Sequence, residues 1–393
     1  MPTENTPRPS VFDQHPTWPA LLIREEALEN NLKQMSAFCA DHALELAPHV
    51  KTHMSPELWR RQQAHGARTA TVATAAQATA LFEAGVRSLL VANQVVAPGD
   101  IAAIDRLRRA GADVLVLVDS AASVAALEEH VDPAPGPLGV LVELGAPGFR
   151  TGCRTLPQLA AVADAVRRSP RLTLRGLSGY EGVLARAATP ADRDQLLDDY
   201  LRRSERALAH LTDAHQGEEP FVVTFGGSDL YPAVVEALAG RTHRVPTRLL
   251  LRSGCYLVHD HGKYARAQET IPSRLAKPHF EPALEVWAPV LSVPEPGLAV
   301  VGLGNRHVSY DVDLPVPLAV RRNGRGRPAH GVSVDALYDQ HAVLHRTEEA
   351  DLAVGDLLSV GVSHPCTTFD KWRTATVVDE AYRPVETITT HFG

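Results

Sequence analysis

Nowhere in its 393 residues does this chain hold the 18–20 consecutive apolar residues that a membrane-spanning helix needs. The first residues, Met1 to Pro7, lack a positive region followed by an apolar stretch, so a secretory signal is not expected. Cysteine is scarce. Cys39, Cys153, Cys255 and Cys366 are widely scattered, which excludes the disulfide framework of a small secreted domain. Basic residues are not in excess: the formal charge of -7 offers no surface for neutralising phosphate backbones, so nucleic acid is not an expected partner. There is no internal repeat or low-complexity tract. These absences point to the cytoplasm and to a small-molecule partner.

Hydrophobic residues make up 45% and charged residues 22%, an ordinary globular balance, and the length suits two domains. From about Leu44 to Asp260, short apolar runs alternate with Ala- and Leu-rich helical stretches. The runs are Leu44–Val50, Thr69–Ala73, Ser88–Asn93, Asp113–Asp119, Gly139–Leu144, Leu172–Tyr180, Phe221–Phe225 and Thr247–Leu251. Most are continuous rather than alternating, as in parallel strands buried on both faces. Ser120 and Thr155 stand where helices would be capped, and Gly85 and Gly111 where helices would end. About eight βα units favour a (β/α)8 barrel, with an open doubly wound sheet as the alternative. After about Pro272 the runs become short, Val-rich and separated by Pro and Gly, which reads as an antiparallel β domain. The expected division is an arm over 1–20, a barrel over 21–272 and a β domain over 273–393.

A parallel barrel carries its site at the C-terminal ends of its strands. Lys51, Asn93, Gln94, Arg150, Tyr180, Gly226-Gly227-Ser228 and Arg252-Ser253-Gly254 all fall there on this strand reading. Lys51 lies in Pro48-His49-Val50-Lys51-Thr52-His53. A lysine amine becomes nucleophilic when burial and cationic neighbours lower its pKa, and it then condenses with a carbonyl. Glycines after a strand let backbone N–H groups approach phosphate oxygens, although tight turns use the same residues without a ligand. Arg150 reads equally as a surface arginine and Tyr180 as a core tyrosine. His364 and Cys366, two apart, point to one side of an extended chain and are favoured zinc ligand types, but two ligands alone make a weak motif.

The Lys51 segment and Ser363–Trp372 resemble the D-serine dehydratase and D-threonine aldolase family, alanine racemase-like enzymes of fold type III. The resemblance implies a (β/α)8 barrel with a C-terminal antiparallel β domain. It also implies pyridoxal 5'-phosphate carried by Lys51 and contacted by His49, Arg150, Tyr180, Gly226, Gly227, Ser228, Arg252, Ser253, Gly254 and Cys255. Ser253 departs from the family's usual proline. Lys51, Tyr180 and His341 are the catalytic residues it implies. His364 and Cys366 would hold a divalent metal, with zinc first and manganese or magnesium as alternatives. Cys366 in place of an aspartate leans toward the dehydratase branch. The expected function is dehydration and deamination of a D-β-hydroxy amino acid (D-serine, D-threonine or 3-hydroxy-D-aspartate) to a 2-keto acid and ammonia. The alternatives are retro-aldol cleavage to glycine and an aldehyde, racemisation, or a non-catalytic cofactor carrier. The family also implies a homodimer. The metal pair lies far along the chain from Lys51, which suggests a site shared between one subunit's barrel and the other's β domain. Gly304–Asp311 recurs in relatives without an assignable role.

Overall fold

A computed structural model describes residues 9–14, 16–213, 219–240, 245–270 and 273–392. Pro2, Pro7 and the expected boundary at Pro272 lie outside the described residues. Eight parallel strands form one sheet: β2 (Glu45–Leu46), β3 (Ala70–Val72), β4 (Ser88–Gln94), β5 (Asp113–Val118), β6 (Leu138–Leu144), β7 (Leu172–Gly179), β8 (Phe221–Phe225) and β9 (Thr247–Leu251). They run in the order β2-β9-β8-β7-β6-β5-β4-β3. The open side between β2 and β3 is closed by a parallel bridge from His49 to Thr71. There the Thr71 N–H donates to the Pro48 carbonyl at 3.0 Å, and its hydroxyl donates to the Ala47 carbonyl at 2.6 Å. The sheet is therefore a barrel, and its eight strands fall on the eight apolar runs.

Continuous apolar runs make these strands because both faces are covered. Every residue of β8 is buried, and so is all of β5 after Asp113. Ala47, Leu90, Leu115, Leu117, Leu141, Val222 and Leu250 fill the barrel interior as a cluster of their own. The surrounding helices start where capping chemistry places them. Ser120 accepts from the Ser123 N–H ahead of the helix Ala121–His130, and Thr155 accepts from the Gln158 N–H ahead of Leu156–Arg168. Gly85 and Gly111 end helices in the left-handed region, at φ +100° and +89°.

The remaining strands form a second sheet. They are β1 (Ala20–Arg24), β10 (Leu284–Glu295), β11 (Leu298–Val301), β12 (Val316–Arg322), β13 (Arg325–Pro328), β14 (Val332–Leu337), β15 (Ala342–Arg346), β16 (Leu357–Gly361), β17 (Thr374–Val378) and β18 (Pro384–Thr389). One path runs β13-β12-β16-β10-β1-β17-β18, with β11, β15 and β14 attached beyond β10. All its pairings are antiparallel except that of β1 with β17. Here the expected division changes. Residues 21–24 fall within the expected barrel unit, yet β1 lies in the middle of the second sheet, between β10 and β17. Its run Leu21-Leu22-Ile23 is fully buried, and an apolar pentapeptide carries no mark of which sheet will bury it. Nor is residues 9–14 a loose arm. The Val11 N–H donates to the Tyr382 carbonyl at 2.8 Å, and the Phe12 ring packs against Trp18, Trp287 and Tyr382.

Three histidines give this fold a predictable acid sensitivity. His53, His259 and His261 are each held down to about 4, in every case chiefly by burial. The unfolded chain takes up protons at these sites as pH falls through about 6.5, while the native chain refuses them until about 4. Their contribution to stability is thus complete above about pH 6.5 and is lost on acidification, at about 1.4 kcal/mol per pH unit for each histidine. Urea midpoints should therefore drop between about pH 7.5 and pH 5. Equal midpoints would contradict the neutral, buried state of these rings.

Candidate active site

Lys51 follows the shortest barrel strand. Beyond β2 the chain turns through Val50–Thr52, with Val50 and Thr52 buried and Lys51 half-buried at the rim. The turn is tied to the last strand's exit by the His49 N–H, which donates to the Arg252 carbonyl at 3.1 Å. Gly254 permits this approach, since a Cβ there would lie 2.3 Å from the His49 carbonyl oxygen. Burial first, then the positive charges of Lys51, Arg252 and Arg150, hold the His49 imidazole well below its usual value, so it is neutral. Its Nδ1 is buried with no hydrogen-bond partner.

Arg252 is anchored inside the barrel, where its guanidinium donates to the Ser178 hydroxyl at 2.8 Å and to the Gly179 carbonyl at 2.5 Å. The Arg150 guanidinium lies 4.7 Å from the centre of the Tyr180 ring, a cation–π contact on the rim. The ring is clamped by two glycines: a Cβ at Gly182 or Gly227 would come within 2.5 Å of it. Gly227 is thus required for the close approach of Tyr180, whatever else it binds.

The glycine turn after β8 is partly occupied from within. The Gly226 and Gly227 N–H groups donate to the Glu181 carboxylate at 3.1 and 2.6 Å. Burial pushes that carboxyl up, and the two glycine N–H groups act against it. The donors left for an anion are grouped around Ser228, whose hydroxyl oxygen accepts from the Gly254 and Cys255 N–H groups at 3.3 and 3.1 Å. Ser253 links the two glycine-bearing loops. Its hydroxyl lies 3.2 Å from both the Gly226 and Gly227 carbonyls and ties the two loops together.

The β domain delivers His364 and Cys366 to this rim within one chain. Cys366 Sγ is 3.2 Å from the hydroxyl of Thr52, the residue after Lys51, and 3.5 Å from Cys255 Sγ. Ligand atoms of Cys255, His364 and Cys366 all lie within 4.8 Å of one another. The hydrogen bond to Cys366 holds Cys255 below the ordinary thiol value, and the same bond pushes Cys366 up. His364 Nδ1 is 2.7 Å from Asp311 Oδ2, and the Thr367 hydroxyl donates to Asp311 Oδ1 at 2.8 Å. Burial raises the Asp311 carboxyl, but those two hydrogen bonds outweigh it and leave the group below its usual value. A carboxylate on one ring nitrogen leaves the other free for a metal and fixes the ring's direction. Gly304–Asp311 thereby gains a role, since it supplies the group that orients His364.

His341 is not drawn into this group. It is exposed on the hairpin between β14 and β15, where its carbonyl accepts from the Tyr338 N–H at 2.8 Å. No described hydrogen bond links its ring to Lys51, His364 or Cys366. Sequence reasoning missed Thr52, Glu181, Asp311 and the sulfur of Cys255. Asp311 and His364 are 53 residues apart, a separation at which no spacing rule operates.

A barrel that offers a rim lysine beside a loop for phosphate, with a β domain closing over it, defines the fold type III class of pyridoxal phosphate proteins. The comparisons agree. The "Alanine racemase, N-terminal domain" profile matches residues 23–239, and the "Putative serine dehydratase domain" profile matches residues 283–378. The chain belongs to the alanine racemase-like family, and its C-terminal part matches a putative serine dehydratase domain. It is 28% identical to the 3-hydroxy-D-aspartate aldolase of Paracoccus denitrificans (strain Pd 1222), over 78% of this chain and 77% of the relative. It is 26% identical to the D-threo-3-hydroxyaspartate dehydratase of Delftia sp. (strain HT23), over 89% of this chain and 91% of the relative. The structure of D-threonine aldolase from Filomicrobium marinum superposes with a TM-score of 0.81 at 25% identity, covering 95% of both chains. Among the described residues, no helix is long and apolar enough to cross a membrane.

Proposed function

We propose that this protein is a pyridoxal phosphate- and metal-dependent lyase of D-β-hydroxy amino acids that dehydrates D-serine, D-threonine or 3-hydroxy-D-aspartate to a 2-keto acid and ammonia. The observation that carries the reading is the contact of Thr52 with Cys366, which sets the metal pair beside the lysine. The residues present suit the cofactor: an orphaned His49 Nδ1, a cradle of Ser228, Gly254 and Cys255, and the clamped Tyr180 ring. When bound, pyridoxal phosphate supplies an aldehyde for the substrate amine and a ring that accepts the electron pair left at Cα.

The protein's own residues divide the remaining work. Lys51 would carry the cofactor on its amine and is the base placed to take a proton from Cα. Gly254 and Cys255 N–H groups and the Ser228 hydroxyl hold the phosphate, with Gly226 and Gly227 shaping the turn and the helix Tyr231–Leu238 following it. Arg252, anchored in the barrel interior on Ser178 and Gly179, would keep a fixed cation beside the cofactor, and Arg150 would offer planar donors to a carboxylate or to the cofactor phenolate. His364 and Cys366 hold the metal, whose chemistry is that of a Lewis acid toward the β-hydroxyl. The four free cysteines suit a reducing, cytoplasmic setting.

Retro-aldol cleavage is the second reading, favoured by the aldolases among the relatives. Incubating the pure holoenzyme with each D-substrate separates the two: keto acid and ammonia mark dehydration, whereas glycine and an aldehyde mark cleavage. Turnover of neither, with racemisation or no reaction instead, would overturn the lyase reading. A simple cofactor carrier would have no use for the β domain's ligands.

The site reading also includes a homodimer, but for a different reason from the one the sequence suggested. Barrel and β domain meet within one chain, so the distance of His364 from Lys51 along the sequence is no argument for sharing. The support is a set of exposed apolar residues instead. Tyr310, Val312, Leu314 and Val316 are 39–54% exposed, and Tyr338 of the His341 hairpin is 62% exposed. Sedimentation at assay concentration should give a dimer, and Tyr338→Asp with Val312→Asp should shift it toward monomer. A fully active wild-type monomer would rule the dimer out.

A further inference from the structure

We propose that Cys255 is a third protein ligand of the metal held by His364 and Cys366, so that the centre has two thiolates, one imidazole and one open position. The inference rests on the metal reading above and deepens it. In a tetrahedral zinc site with Zn–S near 2.3 Å, two sulfurs stand about 3.8 Å apart. The two sulfurs here are already 3.5 Å apart, and the three ligand atoms span no more than 4.8 Å. Small side-chain adjustments therefore close the triangle on an ion without moving the backbone.

The surroundings of Cys255 favour a ligand over a packing residue. Were its only task to offer a backbone N–H to phosphate, its side chain would be free to behave as a small hydrophobe. It is buried, yet its sulfur faces Cys366 Sγ and, at 3.6 Å, the Thr52 hydroxyl, which is also 3.2 Å from Cys366 Sγ. One hydroxyl placed against both sulfurs suits a hydrogen bond to metal-bound thiolate. On the opposite side, Asp311 fixes the His364 ring through Nδ1 and leaves Nε2 for the ion. Two thiolates and an imidazole neutralise a divalent ion and select a borderline-soft metal, whereas magnesium and manganese favour oxygen donors. Three protein ligands leave a fourth position for a substrate hydroxyl, as catalytic zinc sites do. Cys255 would then serve both centres, with its N–H in the cradle at Ser228 and its sulfur on the metal.

The test uses the reduced holoenzyme, stripped of metal and reloaded with zinc or cobalt. Zinc-edge X-ray absorption of the wild type should count two sulfurs at about 2.3 Å. With cobalt, the near-ultraviolet sulfur-to-metal band should roughly halve in Cys255→Ser and again in Cys366→Ser. Zinc affinity of Cys255→Ser should fall by at least the roughly 10–100-fold that loss of a merely supporting partner costs. One sulfur in the wild type, with the cobalt band unchanged in Cys255→Ser and lost in Cys366→Ser, would overturn the inference and leave the two-ligand reading standing. A wild type that binds neither ion would sink both. The absorption measurement needs no variant, so misfolding of Cys255→Ser cannot obscure the answer.

Discussion

Lys51→Ala is expected to yield a colourless protein whose turnover of any D-β-hydroxy amino acid has fallen at least roughly 10⁴-fold, to the limit of detection. The size follows from two losses at one position. A positioned base is worth about 10²–10⁴ by itself, and the amine that carries the cofactor disappears with it. The fold should survive, because the turn is held by buried Val50 and Thr52 and by the His49 N–H bond to Arg252, none of which uses the lysine side chain. Thermal midpoints should therefore match the wild type. Borohydride reduction of the yellow wild type should fix the cofactor to a peptide containing Lys51. The chain has only five lysines, so mapping is decisive: label on Lys33, Lys263, Lys277 or Lys371 would sink the assignment.

Removing the metal should abolish β-elimination, by roughly 10³-fold or more given the several kcal/mol a Lewis acid contributes, while the cofactor colour and fold persist. The persistence follows from how the ligands are held. His364 is braced by Asp311, Asp311 by Thr367, and Cys366 by Thr52, so the site is not assembled by the ion alone. Removal of the Cα proton depends on Lys51 rather than on His364 or Cys366. Solvent-deuterium exchange at Cα of D-alanine, which has no β-hydroxyl, should survive chelation. Full elimination from D-serine by rigorously metal-free protein would reduce the His364–Cys366 pair to a structural role. Loss of exchange together with elimination would place the metal in cofactor binding instead.

What could be read before any coordinates was local. Most barrel strands were marked by a continuous apolar run, because a strand covered on both faces needs no polar alternation. Helix starts were marked at Ser120 and Thr155, because a side chain that satisfies orphan N–H groups acts within three residues. Lys51 and the His364–Cys366 pair stood out in the same way, as single short segments, and their roles are part of the proposal. The β-rich tail was legible as a class but not strand by strand, because proline does not always end a strand there: β10 runs unbroken through Pro289 and Pro294.

Everything that depended on which segments meet was decided by the tertiary structure. The apolar run of β1 belongs to the second sheet because β10 and β17 flank it there, and its composition would serve either sheet. Glu181 fills the Gly226–Gly227 donors, Asp311 orients His364, and the sulfur of Cys255 turns from a phosphate turn to Cys366. The sequence by itself determined the elements and the chemically active residue types. The contacts that turn those residues into a site join positions 45, 53 and 111 residues apart, and only packing of the whole chain brings them within hydrogen-bonding distance.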